Sequence, residues 1–516
     1  MTGNRVLAGD GAVRQLVIGV DAMDWDLVRG WVSAGKLPVL ARVIREGLCA
    51  KLSTTAAQFP DTVWNSISTG TNPAKYEKYF YVQYDAARMG LRHLTDDDVH
   101  TIPVWNVLSE AGRRVGVVDF PQASRTEPLN GFHVARWGTH PDGGRATSYP
   151  AGLMEEIRAR FGSHPVRNCD AASDNPSSLG DLRNRILDGV RAHGELFRWL
   201  MRKEPWDVFF AGFSASHCAG HHFWRTSEKL SGTIEEVYVA IDHEIGQMME
   251  QAGPDGRCLI VSGHGMGPLC HASWNLGEIL ELLGYGNRPA RGVPLAAKRE
   301  GRVNPWRLLK MVVPGGVQYA IRAALPKWMQ DRLLFRWYAG GPDWWGCPAF
   351  AVPNNDSVGA IRISVVGRDK DGLVQPGAEY DEVCRDLSAA FRELTDPETG
   401  RKLVLRVTLT HEEFRGPFLD RLPDITVLWD QSFGWDAVHS PRFGTLRVRR
   451  QDARSGSHTP HGFALMRGPG VAVGLVLEGH SIYDIAATIL DGAGVDAPAH
   501  FDGLPFVLKS LANTER

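Results

Sequence analysis

The segment Gln15-Leu-Val-Ile-Gly-Val-Asp21 decides the fold, because it is a short and continuous apolar run that ends in a carboxylate. Four further runs of this kind follow it, with helical stretches between them. They are Arg114-Val-Gly-Val-Val-Asp119, Trp206-Asp-Val-Phe-Phe-Ala-Gly212, Arg257-Cys-Leu-Ile-Val-Ser262 and Asp424-Ile-Thr-Val-Leu-Trp429. Apolar strands that alternate with helices are typical of a parallel sheet buried on both faces. We therefore predict an α/β fold with a doubly wound, mostly parallel sheet.

Two segments interrupt this pattern and divide the chain. Residues 285–350 are rich in Pro, Arg and Trp without a strand period, which predicts an inserted lid. Residues 351–419 contain two apolar strand patterns around a helical one, which predicts a smaller α+β subdomain. The predicted core then consists of residues 12–284 and 420–516.

Composition excludes several classes of protein. The chain has 516 residues, and its 57 Lys and Arg residues nearly balance 59 Asp and Glu residues, so it lacks the basic field that a nucleic-acid binder needs. It has no uninterrupted apolar run long enough to predict a membrane span. Its seven cysteines form no CxxC pair, which favours a reducing compartment, and we expect the cytoplasm. Nothing in the sequence identifies the oligomeric state.

Histidines are the most informative candidates for a functional site. His217 and His221 are four residues apart, so on a helix their imidazoles face the same way and can bind one cation. His264 directly follows a predicted strand, and His458 lies in Gly456-Ser-His-Thr-Pro-His-Gly462. Any one of these histidines could instead be an ordinary core or surface residue. The set predicts a centre for Zn²⁺, or for Mn²⁺ or Fe²⁺.

The first strand and the segment Pro60-Asp-Thr-Val-Trp-Asn-Ser-Ile-Ser-Thr-Gly70 supply further candidates. Asp21 ends the strand, and Asp24 is better placed to cap the next helix, so Asp21 is available for a ligand. The segment predicts a helix N-terminus, which favours an anion, and Asp61 and Thr62 lie there. Either residue could merely cap the helix, but a threonine beside a cation can also act as a nucleophile.

These motifs resemble the alkaline phosphatase superfamily, specifically its type I phosphodiesterase/nucleotide pyrophosphatase branch, over nearly the whole chain. The resemblance implies an alkaline-phosphatase-like core, metal ligands at Asp21, Thr62 and the four histidines, and a nucleophile on the helix that ends at Gly70. The tail Asp502-Gly-Leu-Pro505 is similar to the closing pattern of the family.

Three departures from the family pattern bear on the chemistry. His217 and Gly263 stand where aspartates are usual, and the customary nucleophile position falls on Pro60, so Thr62 is chosen by chemistry rather than by register. Two divalent cations about 4 Å apart repel by about 17 kcal/mol at an effective dielectric constant near 20, and anionic ligands must offset this repulsion. The sequence therefore predicts at least one bound metal and leaves a second open.

The leading hypothesis is a metal-dependent phosphodiesterase that acts on a small molecule with a phosphate or related anionic group through Thr62. Asp61, Trp224 and His461 are weaker candidates for substrate binding. Three alternatives stay open: a sulfatase-like hydrolase, a biosynthetic transferase, isomerase or lyase-like enzyme with a single histidine-bound metal, and a non-catalytic binding protein.

Overall fold

The computed structural model describes residues 13–94, 98–99, 101–123, 129–138, 145–166, 176–270, 272–286, 344–448 and 454–506. Strands and helices alternate through most of these residues. The strands are β1 (Val13–Val20), β2 (Leu48–Ser53), β3 (Val82–Asp85), β4 (Gly90–His93), β5 (Val115–Val118), β6 (Gly131–Ala135), β7 (Thr147–Tyr149), β8 (Trp206–Phe213), β9 (Arg257–Ser262), β10 (Gly265–Pro268), β11 (Ala349–Val352), β12 (Val358–Ile363), β13 (Val404–Leu409), β14 (Ile425–Trp429), β15 (Ala437–Ser440), β16 (Gly444–Arg447), β17 (Gly456–Thr459), β18 (Gly462–Arg467) and β19 (Leu475–Ser481). The helices are α1 (Trp25–Ser33), α2 (Pro38–Glu46), α3 (Val63–Thr69), α4 (Val104–Glu110), α5 (Gly152–Phe161), α6 (Pro176–Met201), α7 (Ala215–Phe223), α8 (Thr233–Ala252), α9 (Leu276–Leu282), α10 (Ala378–Arg392), α11 (Thr410–Glu413) and α12 (Asp484–Gly492).

A nine-stranded sheet forms the centre of the first of two compact units, which comprises Met1–Tyr76, Asp96–Leu269 and Ala453–Arg516. The strand order is β19-β2-β18-β9-β1-β8-β5-β6-β7. The neighbours from β9 to β6 are all parallel, whereas β18 runs antiparallel to both β2 and β9, and β7 antiparallel to β6. The predicted α/β fold with a mostly parallel sheet is confirmed.

Strand β1 is buried on both faces, as its continuous apolar run predicts. Leu16, Ile18 and Val20 belong to one apolar core, and Val17 belongs to the core on the opposite face. Successive side chains of a strand point to opposite faces, so a strand covered by helices on both sides must be apolar at every position. Helix α8 contributes to the first core, and α3 and α12 contribute to the second.

The parallel strands β1, β8 and β9 all end at one edge of the sheet, and this edge carries the polar residues of interest. The backbone N–H of Asp21 donates to the carbonyl of Phe213 at 2.8 Å, so the ends of β1 and β8 lie side by side. Asp24 caps α1 by accepting hydrogen bonds from the backbone N–H groups of Asp26 and Leu27, as predicted. Asp21 is therefore not needed as a cap.

The second unit comprises Glu77–Thr95 and Cys270–Asp452. Its main element is the antiparallel sheet β11-β12-β14-β13, whose core includes residues of α9 and α10. We predicted that residues 424–429 belong to the main sheet, but β14 pairs with β12 and β13 instead, so this prediction is wrong. An apolar run identifies a buried strand without indicating which sheet contains it.

Most of the segment predicted to be a lid, residues 287–343, lies outside the described residues. In the part of the chain that the structure does describe, no helix combines the length and apolarity needed to cross a membrane.

Candidate metal centre

Helix α7 presents two histidines at the carboxyl edge of the main sheet. It begins directly after β8, and the hydroxyl of Ser216 donates to the carbonyl of Asp21 at 2.6 Å, which anchors the first turn to the end of β1. His217 and His221 are one turn apart on this helix, and their Nε2 atoms are 3.2 Å apart. The structure thus places the two imidazoles as their spacing predicts.

The ring of His221 is oriented by a backbone group of β17. Its Nδ1 lies 2.8 Å from the carbonyl oxygen of Gly456, so Nδ1 carries the proton and Nε2 keeps the lone pair that faces His217. This approach requires glycine, because a Cβ atom on Gly456 would lie 2.1 Å from the carbonyl oxygen of Gly220. The close approach of β17 to α7 therefore explains why a glycine stands two residues before His458.

His458 completes a group that we call the histidine cluster, formed by His217, His221 and His458. It lies on β17 opposite Met266 of β10, and its ring centroid is 5.0 Å from the ring centroids of both other members. Burial, together with the charges of neighbouring groups, holds the pKa of His458 well below its usual range. A neutral imidazole is the form that coordinates a metal.

The histidine cluster fits a divalent cation. Its three ligand nitrogens all lie within 4.8 Å of one another, and among the described residues no other group of three His, Cys, Asp or Glu side chains meets this condition. Two ligands on a tetrahedral zinc ion, with Zn–N bonds of about 2.0–2.1 Å, lie about 3.3 Å apart, close to the separation of the His217 and His221 nitrogens. Three histidines that leave a fourth position open are typical of catalytic zinc sites.

Asp21 and His264 lie beside the histidine cluster but have different partners. The indole Nε1 of Trp64 donates to Oδ1 of Asp21 at 2.6 Å, and Nε2 of His264 is 3.5 Å from the same oxygen. The ring centroid of His264 is 4.4 Å from that of His458. Burial lowers the pKa of His264, while the carboxylate of Asp21 opposes this shift.

Thr62 lies in the single 3₁₀ turn that precedes α3, and its side chain is fully buried. Its hydroxyl donates to the carbonyl of Phe59 at 2.7 Å and is 2.9 Å from Oγ1 of Thr55. Thr62 is at the N-cap position of α3, but its side chain makes no capping hydrogen bond. We call Asp21, Thr62 and His264 the aspartate side of the site.

A family model for type I phosphodiesterase/nucleotide pyrophosphatase matches residues 15–459, a range that contains both the histidine cluster and the aspartate side. The chain belongs to this phosphodiesterase family. The match confirms the family resemblance that the sequence motifs predict.

Two solved structures that are similar to this chain have little sequence in common with it. Phosphonoacetate hydrolase from Sinorhizobium meliloti 1021, in complex with phosphonoacetate, superimposes with a TM-score of 0.52 at 14% identity, over 93% of this chain and 96% of that one. Murine ectonucleotide pyrophosphatase/phosphodiesterase 5 in complex with AMP has a TM-score of 0.49 at 13% identity, over 94% of this chain and 96% of that one. Among curated proteins, none matches the sequence.

The weaker candidates for substrate binding lie in different environments. Nε2 of Gln122 donates to Oδ1 of Asp61 at 3.3 Å. Trp224 is partly buried and packs against the apolar core on the side of α8. His461 is exposed and follows β17. Their roles in this family member stay predictions.

Sequence reasoning missed two side chains that act on the site. Trp64 holds the carboxylate of Asp21, and the positive charge of Arg454 helps to keep His458 neutral. Arg454 could have been noticed as a cation four residues before a candidate ligand. The contact between Trp64 and Asp21 spans 43 residues of sequence, and no local pattern indicates it.

Proposed function

We propose that this member of the family hydrolyses phosphate esters of small molecules, with phosphodiesters as the expected class, and that its histidine cluster holds a divalent cation. The observation that carries the proposal is the convergence of His217, His221 and His458 at the carboxyl edge of the parallel sheet, where ligands of open α/β sheets bind. Zinc suits three imidazoles best, and manganese or iron are alternatives.

A cation bound at the histidine cluster would supply Lewis-acid polarisation of a phosphoryl oxygen. The chain's own groups would position the ester beside it. The carbonyl of Gly456 fixes the ring of His221, and Ser216 ties α7 to the end of β1, so the ligands are held on rigid elements. The positive charge of Arg454 favours an anionic group in the same region.

Thr62 is the proposed nucleophile. Its oxygen would form a bond to phosphorus and give up its proton to solvent, while the bond to the leaving group breaks and the departing alkoxide takes up a proton. Water would then cleave the threonine phosphate ester and restore the hydroxyl. Because the Thr62 hydroxyl now donates to the carbonyl of Phe59, attack requires this hydrogen bond to be exchanged for a contact with substrate. Asp61, the adjacent residue, is the alternative reactive group.

The first experiment assays the purified full-length chain with zinc, manganese or ferrous iron against a panel of phosphate monoesters, phosphodiesters and sulfate esters. We expect turnover of phosphodiesters that disappears with a chelator and returns with metal. Turnover of sulfate esters alone would support the sulfatase-like alternative. No turnover of any ester would overturn the hydrolase proposal and favour a non-hydrolytic reaction.

The second experiment tests the nucleophile with Thr62→Ala and the matched variant Thr62→Ser, which keeps a hydroxyl. We expect Thr62→Ala to lower kcat by at least about 1,000-fold with unchanged metal content, and Thr62→Ser to keep part of the rate. A wild-type rate in Thr62→Ala would exclude Thr62, and Asp61→Asn would then be the informative variant.

A second candidate function is a transferase, isomerase or lyase-like reaction with a single histidine-bound cation. It is favoured by the burial of the Thr62 hydroxyl, which already donates a hydrogen bond within the protein.

We also propose the cytoplasm as the compartment, on the basis of the cysteine pattern.

A further inference from the structure

We infer that the chain binds one divalent cation rather than two, and that Trp64 and the packing of α3 occupy the half of the site that a second cation would need. This inference rests on the proposed function, because it takes the histidine cluster as the position of the first cation. Its evidence comes from Gly263, Asp21 and Thr62, and none of these belongs to the histidine cluster.

Gly263 is packed too tightly to be exchanged for a carboxylate ligand. It lies at the end of β9, next to His264, where a carboxylate could otherwise face the sheet edge. A Cβ atom built on Gly263 would lie 2.2 Å from Cγ1 of Val63 and 2.7 Å from Cδ1 of Ile67. A side chain at this position would therefore point into the apolar face of α3 and not toward the histidines.

Asp21 is already held by a neutral donor of the protein. The indole of Trp64 donates to its Oδ1 at 2.6 Å, a short distance that is typical of a hydrogen bond to a charged acceptor. Trp64 is itself buried and packs edge to face against Phe120, with ring centroids 5.3 Å apart, so its indole cannot turn away without disturbing the core. Oδ1 of Asp21 therefore already has a hydrogen-bond donor within the protein.

Two further oxygen ligands near this edge are engaged as well. The hydroxyl of Thr62 donates to the carbonyl of Phe59, and Oδ1 of Asp24 accepts two backbone hydrogen bonds as the cap of α1. Two divalent cations about 4 Å apart would repel by about 17 kcal/mol at an effective dielectric constant near 20. Anionic ligands must offset this repulsion, and Asp21 is the one carboxylate of the aspartate side, to which Gly263 adds none.

Metal stoichiometry tests the inference without reference to activity. The full chain is stripped with a chelator, reloaded with excess zinc chloride and desalted, and zinc per chain is measured by elemental analysis. The same measurement is made on His221→Ala, which removes a member of the histidine cluster, and on Asp21→Asn, which removes the carboxylate but keeps its size. We expect one zinc per chain in the wild type and in Asp21→Asn, and loss of zinc in His221→Ala.

The possible outcomes separate this inference from the proposed function. No bound zinc in the wild type would overturn the metal centre of the proposed function, and this inference with it. Two zinc ions per chain, one of them lost in Asp21→Asn, would overturn only the single-cation inference. One zinc that is lost in Asp21→Asn and kept in His221→Ala would place the cation on the aspartate side and overturn the inference.

Asp21→Asn could fail to fold, because Asp21 is buried. Trp64→Phe is then the second variant, since it removes the indole N–H and leaves the carboxylate without its donor. We expect this variant to bind one zinc, because Gly263 still supplies no ligand. A second zinc ion in Trp64→Phe, with one in the wild type, would show that the indole alone excludes the second cation, and would overturn the part of the inference that rests on the packing of α3 at Gly263.

Discussion

The histidine cluster and the aspartate side lie at the same edge of one sheet, yet their side chains have different partners. In the cluster, the imidazoles of His217 and His221 face each other, and the second nitrogen of His221 is held by a carbonyl. On the aspartate side, Asp21 accepts a hydrogen bond from an indole and Thr62 donates one to a carbonyl. Candidate ligands at one sheet edge therefore need not form a second metal site.

Close backbone approach explains part of this difference. Gly456 lets β17 come close enough to α7 for its carbonyl to orient a histidine, which builds the cluster. Gly263 lets α3 come close to the end of β9, which fills the space with Val63 and Ile67. The same property of glycine, the lack of a Cβ, thus brings candidate ligands together in one region and lets apolar side chains fill the space in the other.

The largest effect that tests the comparison is expected for His221→Ala. Loss of a partner that only orients a ligand typically costs 10- to 100-fold in metal affinity, so loss of the ligand itself should weaken zinc binding by about 100-fold or more. Isothermal titration with zinc measures this. His461→Ala, which removes an exposed histidine that follows β17, is the control and should keep the wild-type affinity for zinc. Equal affinities in both variants would contradict the proposed cluster.

The tight packing on the aspartate side is tested by Gly263→Ala. The added methyl group overlaps Val63 and Ile67, so we expect a loss of about 1–3 kcal/mol in the free energy of unfolding. Gly30→Ala is the matched control, because Gly30 lies in α1 with nothing within 4 Å of the added atom, and there alanine should stabilise by up to about 1 kcal/mol. Urea denaturation compares the two variants. Equal stability would show that α3 adjusts freely.

The hydrogen bond to Asp21 is tested by Trp64→Phe against Trp105→Phe. Both tryptophans are buried and both pack against Phe120, but Nε1 of Trp105 has no hydrogen-bond partner among the described residues. Only Trp64→Phe leaves a buried carboxylate without its donor, so we expect it to cost about 1.5 kcal/mol more than the control. If both variants lose the same stability in urea, the indole contributes nothing specific to Asp21.

A smaller effect concerns His164, a buried histidine that belongs to neither side. Burial is the main cause that lowers the pKa of His164 to about 4. Its Nε2 lies 3.3 Å from the carbonyl oxygen of Gly189. An unfolded histidine takes up a proton near pH 6.5 and the folded one does not, so stability is present above this pH and is lost as the pH falls toward 4.

We expect the contribution of His164 to reduce the stability of the metal-free protein by about 1 kcal/mol between pH 7.5 and pH 5.5. Urea unfolding at both pH values, with a chelator present, compares the wild type with His164→Gln. The variant should lose correspondingly less stability on acidification. An identical loss in both proteins would show that His164 is protonated in the folded state as readily as in the unfolded one.

The sequence by itself predicted the fold class, the polar strand ends and the placement of His217 and His221 on one helix face. These features follow from local periodicity, since a buried parallel strand is apolar at every position and residues four apart share a helix face. The cap formed by Asp24 was predicted for the same reason, because its partners are Asp26 and Leu27, only two and three residues away.

Only the tertiary structure decided which sheet contains β14, which group holds Asp21 and whether a side chain fits at Gly263. Each of these depends on contacts between distant segments: Asp21 and Trp64 are 43 residues apart, and Gly263 is about 200 residues from Val63. A strand pattern predicts that a residue is buried, but it does not indicate which residues pack against it. The physical reason is that packing at a sheet edge is set by every element that meets there, and local sequence encodes one element at a time.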